Sequence, residues 1–190
     1  MRHRIIITIL LLILITTYIS RVYYVNSHTY APDELPYKMN SEVQIENDYF
    51  DSSSELMNGY SVTVLDNDII SVDEFQQQYH DYKNRMNAEY ICLVKARFKN
   101  VDNDLGDNAG IDLGHYILQE ESYINFMDKE AYELINGFSS IKFSLRLNSE
   151  IDIIIPFRVD TEYINVEKLK IGNPTLIVSL YPHKKIIELG

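Results

Sequence analysis

The sequence is poor in cysteine, glycine and proline, and each shortage excludes a class of protein. Its 190 residues contain one cysteine, seven glycines and five prolines. A single cysteine excludes a framework of internal disulfides and any zinc site built from several cysteines. The few glycines and prolines, together with 46% hydrophobic residues, exclude collagen-like and wholly disordered chains.

The sequence is also poor in positive charge. It contains 17 lysines and arginines against 28 aspartates and glutamates, which gives a formal net charge of −11. Nucleic-acid binding needs basic side chains that displace phosphate counterions, so this balance argues against a nucleic-acid partner. The motifs Gly-x-Ser-x-Gly and His-Glu-x-x-His and the glycine-rich phosphate loop do not occur. We therefore predict no catalytic residue and no cofactor, and we expect a protein without enzymatic activity.

What the sequence does contain is one long hydrophobic run at its N-terminus. The basic start MRHR precedes residues 5–19, which are mostly isoleucine and leucine. Extended to residue 25, this run reaches the roughly 20 residues that a membrane-spanning helix needs. Bulky tyrosine and isoleucine residues occur within residues 17–24, where a signal peptidase requires small side chains. We predict an uncleaved signal anchor over residues 1–25, which enters the membrane through residues 5–25. The alternatives are a cleaved signal with a secreted product and a buried core helix.

The distribution of charge predicts the orientation of this anchor. Arg2 and Arg4 precede the hydrophobic run, whereas only Arg21 follows it closely, which favours a cytoplasmic N-terminus and an exported C-terminal part. The part after residue 25 retains all 28 acidic residues but only 14 basic ones, a net charge of −14. The 25 isoleucines against five alanines are typical of an AT-rich genome, such as that of a low-GC Gram-positive bacterium.

The exported part is predicted to have two sections. Residues 26–58 contain two prolines and the run DSSS and show little periodicity, which predicts an extracytoplasmic tether with one short strand over residues 42–46. The turn signal Asn58-Gly59 then marks the start of a globular domain over residues 59–190.

Within this domain the hydrophobic residues recur with the period of a β-strand. The clearest strand spans residues 89–99. Its buried stripe is predicted to contain Tyr90, Cys92, Val94, Ala96 and Phe98. Lys95, Arg97 and Lys99 alternate with this stripe and are predicted to face solvent. Further strands are predicted over residues 60–65, 111–118, 122–126, 141–147, 151–159, 175–181 and 185–189.

Two short helices are predicted between these strands. Ser71 and Glu74 form a capping box at the start of the first. The second spans residues 128–135, with Asp128 as its N-cap and Gly137 just past its end. Seven to nine strands with two short helices predict a mainly β fold, a β-sandwich. Pro156 cannot donate a ladder hydrogen bond, so we expect its strand at a sheet edge or at a bulge.

Several segments together resemble a known kind of domain. After the anchor they are GYSVTV at residues 59–64, SVDEF at 71–75, RFKN at 97–100, IPF at 155–157 and LYPHKK at 180–185. They resemble the uncharacterised, N-terminally anchored, immunoglobulin-like domain families of Gram-positive bacteria, which are distantly similar to a secreted mycobacterial immunoprotective antigen. The resemblance covers residues 40–190 and implies an immunoglobulin-like β-sandwich. It implies no catalytic residues.

The acidic stretch over residues 102–112 is the strongest candidate for a ligand site. Its carboxylates belong to Asp102, Asp104, Asp107 and Asp112. Calcium binds six to eight oxygen atoms, which such loops supply. The spacing differs from an EF-hand, however, because Gly106 and Leu113 stand where two of its ligands belong. Aspartate, asparagine and glycine also form turns, so we predict no metal site and keep calcium as the alternative.

Two further side chains are predicted to be structural. Asp112 and His115 form a carboxylate–imidazole pair three residues apart, but on a strand this spacing places them on opposite faces. Cys92 lies on the predicted buried stripe, where a thiol is a small core residue rather than a nucleophile.

Our leading functional hypothesis is a membrane-anchored extracytoplasmic module that binds a protein partner at the cell envelope. The first alternative is a calcium-dependent surface or adhesion domain that uses the acidic stretch. The second is a hydrolase whose site is assembled from residues distant in sequence.

Overall fold

Residues 2–28, 32–52, 56–85, 87–106, 110–120, 123–160 and 174–190 are described by the computed structural model of the chain. They fall into two compact units, Met1–Ala31 and Pro32–Gly190. The first unit is a single helix and the second contains the strands.

The N-terminal unit consists of α1 (Arg2–His28). Its stretch Arg4–Ser27 has a mean hydropathy of 2.3 over its most apolar window and is the one helix, among the described residues, long and apolar enough to cross a membrane. The hydroxyl groups of Thr8, Thr16 and Thr17 donate to backbone carbonyls four residues earlier, at 2.8–2.9 Å. These bonds satisfy the hydroxyl groups within the helix, as a hydrocarbon environment requires. The prediction of one helix able to span a membrane is confirmed.

The second unit is mainly β. Its strands are β1 (Asp33–Lys38), β2 (Val43–Ile45), β3 (Tyr60–Ser71), β4 (Tyr90–Asn100), β5 (Ile111–Asp112), β6 (Ile117–Glu120), β7 (Tyr123–Phe126), β8 (Lys142–Phe143), β9 (Glu150–Val159), β10 (Thr175–Ile177) and β11 (His183–Glu188). Its helices are α2 (Val72–Gln78) and α3 (Lys129–Asn136), and Leu113–His115 forms a 3-10 turn. The mainly β prediction is confirmed. The predicted number of seven to nine strands is wrong, because the eleven described strands include several of only two or three residues, which are too short to show a periodicity.

The strands form three sheets. A five-stranded sheet has the order β1-β11-β10-β6-β7, a four-stranded sheet has the order β2-β3-β4-β9, and β5 pairs with β8. β1 and β11 are parallel, and the other pairs are antiparallel. The two larger sheets bury one shared hydrophobic core, to which β4 contributes Phe98 and β10 contributes Leu176.

The segment predicted as a tether differs from that expectation. From Pro32 onward it belongs to the second unit, and it contains β1 and β2. β2 buries Val43 and Ile45 in the shared core. Local periodicity is a weak guide here because β1 contains Pro36 and β2 has three residues. Pairing with distant strands, β1 with β11 and β2 with β3, determines the structure of this segment.

The central strand β4 confirms the predicted alternation. Cys92, Val94, Ala96 and Phe98 are fully buried, and Tyr90 at the start of the strand is half-buried. On the opposite face the pattern changes along the strand. Ile91 and Leu93 belong to a second apolar cluster with Phe75 of α2 and Ala131 of α3, whereas Lys95 is exposed and Arg97 and Lys99 are half-buried. The helices therefore cover the apolar half of this face, and the charged half remains in contact with solvent.

The strand β9 also follows the prediction. Ile153, Ile155, Phe157 and Val159 are buried, and β9 lies at the edge of the four-stranded sheet, as Pro156 requires. The strand predicted over residues 141–147, in contrast, shortens to β8. Leu145 lies beyond β8, and its backbone N–H donates to the hydroxyl of Tyr60 at 3.1 Å instead of to a neighbouring strand.

Both predicted helix caps are confirmed. Ser71 accepts from the backbone N–H of Glu74, whose carboxylate accepts in return from the N–H of Ser71. Asp128 caps α3, and Gly137 ends that helix in the left-handed conformation.

Candidate functional site

A cleft of about 400 Å³ is the candidate site. It is lined by residues 46–49, which follow β2, by Leu56, Asn58 and Gly59, which precede β3, and by residues 102–105, which follow β4. Its volume lies within the range of about 300–1,000 Å³ that is typical of ligand pockets.

One side of the cleft is built around the buried Asn103. The side chain of Asn103 donates to the carbonyl of Asn58 at 2.6 Å and accepts from the N–H of Leu105 at 3.1 Å. Its backbone N–H donates to the side chain of the buried Asn100 at 2.8 Å. These bonds tie the loop after β4 to the segment before β3.

Gly59 makes this close approach possible. Its φ of +85° lies in the left-handed region, and a Cβ atom on Gly59 would lie only 2.7 Å from the backbone nitrogen of Asn103. Any other residue at this position would separate the two segments.

A buried ion pair supports the other side of the cleft. The side chains of Lys185 and Asp48 are 3% and 2% exposed, and Lys185 Nζ lies 2.6 Å from Asp48 Oδ2. Nζ also donates to the carbonyl of Gln44 at 2.7 Å and lies 3.3 Å from a carboxylate oxygen of Glu46. Burial opposes the charged form of Lys185, but the hydrogen bond and the charge of Asp48, with a further contribution from Glu46, raise the pKa of Lys185 overall.

The surface of the cleft is strongly acidic. Glu46, Asp48, Asp102 and Asp104 line it, and among the lining residues that the structure describes there is neither a lysine nor an arginine. The buried Lys185 offsets the charge of Asp48. The remaining carboxylates give the opening of the cleft a net negative charge. Leu56 and Leu105 also line the cleft, and they remain 42% and 47% exposed.

The structure separates the four aspartates of the predicted acidic stretch. Asp102 and Asp104 line the cleft, whereas Asp107 lies outside the described residues. Asp112 lies in β5, where its carboxylate is 2.7 Å from Lys142 Nζ and accepts from the N–H of Gly114. Within the described ranges, no three histidine, cysteine or acidic side chains are grouped in a way that could hold a metal ion.

The expectation that Asp112 and His115 lie on opposite faces of a strand is wrong. Leu113–His115 forms a 3-10 turn, which places His115 Nε2 3.9 Å from Asp112 Oδ2 and 3.8 Å from Asp51 Oδ2. Residues three apart eclipse one another in such a turn, and this brings the two side chains together.

The cysteine has the properties of a core residue. Cys92 is fully buried, and burial, with a smaller effect from the charge of Asp68, raises its pKa to about 12. Its thiol is therefore protonated near neutral pH and enclosed by the protein.

Sequence reasoning missed the pair of Lys185 and Asp48, although a signal for it exists. Lys185 has the same strand parity as Ile187 and Leu189, which are buried. A lysine on an apolar stripe predicts a buried cation that requires a partner. The identity of that partner, Asp48, is not visible in the sequence.

The comparisons with known proteins identify a family. Residues 35–185 match the family described as Domain of unknown function (DUF5028), and the chain belongs to that family. No curated protein and no solved structure matches the chain. The predicted membership in an uncharacterised domain family is thus confirmed, with nearly the predicted extent.

Proposed function

We propose that the chain is a membrane-anchored extracytoplasmic module that binds a protein partner at the cell envelope of a Gram-positive bacterium and performs no catalysis. The observation that carries this proposal is the cleft in the second unit, where the exposed Leu56 and Leu105 adjoin the carboxylates of Asp102 and Asp104, which form no ion pair with any described residue. Exposed apolar side chains bordered by polar groups are typical of interaction sites.

The architecture supports an immunoglobulin-like identity for the module. A five-stranded and a four-stranded sheet bury one core, as in a β-sandwich, and nearly all strand pairs are antiparallel. In immunoglobulin-like domains the connections between strands carry the binding residues, and the cleft likewise consists of segments between strands.

The helix α1 supports attachment to the membrane. It is long and apolar enough to span a bilayer, and the arginines at its start favour a cytoplasmic N-terminus. In this proposal α1 stays attached to the exported module, and the cleft faces the space outside the membrane.

The chemistry of the cleft supports binding rather than catalysis. Its buried carboxylate, Asp48, is already paired with Lys185, and its buried amide, Asn103, holds backbone groups. These groups fix the shape of the cleft and leave the exposed carboxylates and leucines for contact with a partner.

Site-specific crosslinking in native membranes tests the proposal. A photoreactive amino acid replaces Leu105 in the cleft or, as a control, Lys95 on the exposed face of β4. We expect the full-length protein to pellet with membranes and a discrete crosslinked protein band from position 105 that is absent from position 95. A soluble product that begins near residue 21 would contradict the anchor, and identical band patterns from both positions would contradict the binding site.

A further inference from the structure

We infer that the cleft binds a lysine or arginine side chain of an extended protein segment, together with an apolar side chain next to it. This inference rests on the proposed protein-binding function and identifies the chemistry of the partner.

The charges of the cleft determine the first part of the inference. The carboxylates of Asp102 and Asp104 are exposed and form no ion pair with any described residue. Glu46 accepts from Lys185 Nζ at 3.3 Å, and its carboxylate also remains exposed at the cleft. A cationic side chain would form charge-assisted hydrogen bonds with such carboxylates. The formal net charge of −11 would also attract a basic segment over a longer range.

The apolar residues of the cleft determine the second part. Leu56 and Leu105 are among the few large hydrophobic side chains of the second unit that the structure shows exposed. Lysine and arginine have apolar stems that pack against such side chains while the charged group reaches a carboxylate. A free metal ion or a small amine offers no surface to these two leucines, whereas a peptide offers both a charge and an apolar neighbour.

Hydrogen bonds and an ion pair hold both sides of the cleft in place, which suits it to a flexible partner. Asn103 fixes the loop that carries Asp102, Asp104 and Leu105, and the pair of Lys185 and Asp48 fixes the segment that carries Glu46. The partner segment alone must then lose conformational freedom on binding, which lowers the entropic cost of association.

The experiment uses the full-length protein in lipid nanodiscs and three fluorescein-labelled peptides. The probe is Gly-Ser-Leu-Lys-Leu-Ser-Gly, and the two controls replace its lysine by glutamate or both of its leucines by serine. We expect saturable binding of the probe by fluorescence anisotropy, weaker binding of the serine peptide and no binding of the glutamate peptide. Binding should also weaken as the salt concentration rises.

Matched variants connect this binding to the cleft. The double variant Asp102→Asn/Asp104→Asn should weaken binding of the probe by about tenfold or more, since it removes two charged acceptors. The control variant Asp73→Asn/Asp81→Asn makes the same change in net charge at exposed positions near α2 and should leave binding unchanged. Leu105→Ser should weaken binding without any change in charge.

Several results would overturn the inference. They are equal binding of the lysine and glutamate peptides, equal losses in the two double variants, and no binding of the probe at millimolar concentration. Displacement of the probe by calcium chloride but not by magnesium chloride would identify a calcium site instead. If a partner is crosslinked at position 105 while the probe does not bind, the inferred chemistry fails and the proposed function stands.

Discussion

Two aspartates, Asp48 and Asp128, are buried, and the protein compensates the charge of each carboxylate with a different set of partners. Both side chains are at most 5% exposed. Arg158 is the basic partner of Asp128, whereas Asp48 has Lys185 at 2.6 Å and the imidazole of His183 at 3.6 Å. Asp128 accepts from the hydroxyl of Tyr82 at 2.7 Å and from the backbone N–H groups of Glu130 and Ala131, and Arg158 Nε lies 3.4 Å away. Asp48 depends mainly on Lys185. Its other partners are more distant, since the N–H of Glu46 donates at 3.3 Å and His183 Nδ1 lies 3.6 Å from Asp48 Oδ1.

The two aspartates differ in the hydrogen-bond donors that remain when the main basic partner is removed. Without Arg158, Asp128 keeps three donors, and Arg158 itself is 29% exposed and able to reach solvent. Without Lys185, Asp48 keeps only the long hydrogen bond from Glu46 and the imidazole of His183 at 3.6 Å, so its buried charge is poorly compensated, which is costly. A carboxylate held by local backbone donors thus tolerates mutation better than one held mainly by a lysine from a distant segment.

The largest loss of stability is expected from a substitution that introduces a third buried aspartate, one without any basic partner. Cys92→Asp places a carboxylate on the core face of β4, near the charge of Asp68, with no cation on that stripe. We expect the full-length protein either to fail to fold or to lose more than about 4 kcal/mol of unfolding free energy. Chemical denaturation in detergent micelles measures the loss.

The control for this prediction is Cys92→Ala, which should cost about 1 kcal/mol because it removes one buried atom. In the unmutated protein, a thiol reagent should label Cys92 only after denaturation. Rapid labelling of the native protein would show that the buried face of β4 is assigned incorrectly.

The second effect concerns the pair of Lys185 and Asp48. Lys185→Met removes the main partner of the buried Asp48 and should cost about 3–5 kcal/mol. Lys184→Met serves as the control, since Lys184 pairs with the exposed Glu34, and it should cost about 1 kcal/mol or less. The double variant Asp48→Leu/Lys185→Met should be more stable than Lys185→Met alone; if it is not, the poorly compensated charge of Asp48 is not the cause of the loss.

The third effect tests the cluster around Asp128. Asp128→Ala removes the N-cap of α3 and the acceptor of Tyr82, and it should cost about 2–3 kcal/mol. Asp128→Asn retains an oxygen that can cap the helix and should cost less. A loss for Asp128→Ala that exceeds the loss for Lys185→Met would reverse the comparison between the two aspartates.

The two aspartates also differ in how far the sequence predicts them. The cap at Asp128 is local, because an aspartate before a helical segment that ends at Gly137 is a short-range signal. The burial of Cys92 follows in the same way from alternation along β4. The pairing of Lys185 with Asp48 depends on where two distant segments meet, and periodicity contains no information on that.

The same reason explains the other differences between expectation and structure. β1 is recognisable as a strand only through its parallel partner β11, and the turn at Leu113–His115 interrupts an apparently continuous strand pattern. The sequence identifies one side of the candidate site, since Asp102 and Asp104 belong to the predicted acidic stretch. Glu46 and Leu56, which complete the cleft, lie in the segment that lacks periodicity.

The fourth effect is a dependence of stability on alkaline pH. The pKa of Lys185 is raised in the folded protein, so its contribution is complete below its unfolded pKa of about 10.4 and is lost as the pH rises through the higher folded value. Burial and the hydrogen bond to Asp128 also raise the pKa of Tyr82, which gives a loss of the same sign.

The contribution of Lys185 is therefore measured as a difference. The gap in unfolding free energy between the unmutated protein and Lys185→Met should narrow above about pH 10.4, because deprotonation then removes the lysine charge beside Asp48 from the unmutated protein too. The effect of Tyr82 cancels in this difference. A gap that stays constant to about pH 12 would show that the charge of Lys185 contributes little.

The smallest effect is expected from adding calcium, because the aspartates that could bind it in the cleft are exposed instead of buried. Asp102 and Asp104 lie at the surface of the cleft, whereas Asp112 forms an ion pair with Lys142. The described part of the chain offers no group of three histidine, cysteine or acidic side chains that could hold a metal ion. We therefore expect calcium, up to about 5 mM, to change the melting temperature by less than about 1 °C, although extracellular modules bind calcium at about 0.1–1 mM. Bound calcium at 100 times its dissociation constant would add about 2.7 kcal/mol, or roughly 5–10 °C for a domain of this size. A saturable rise of that size, absent with magnesium and abolished by Asp104→Ala, would establish the calcium module in place of the peptide-binding cleft.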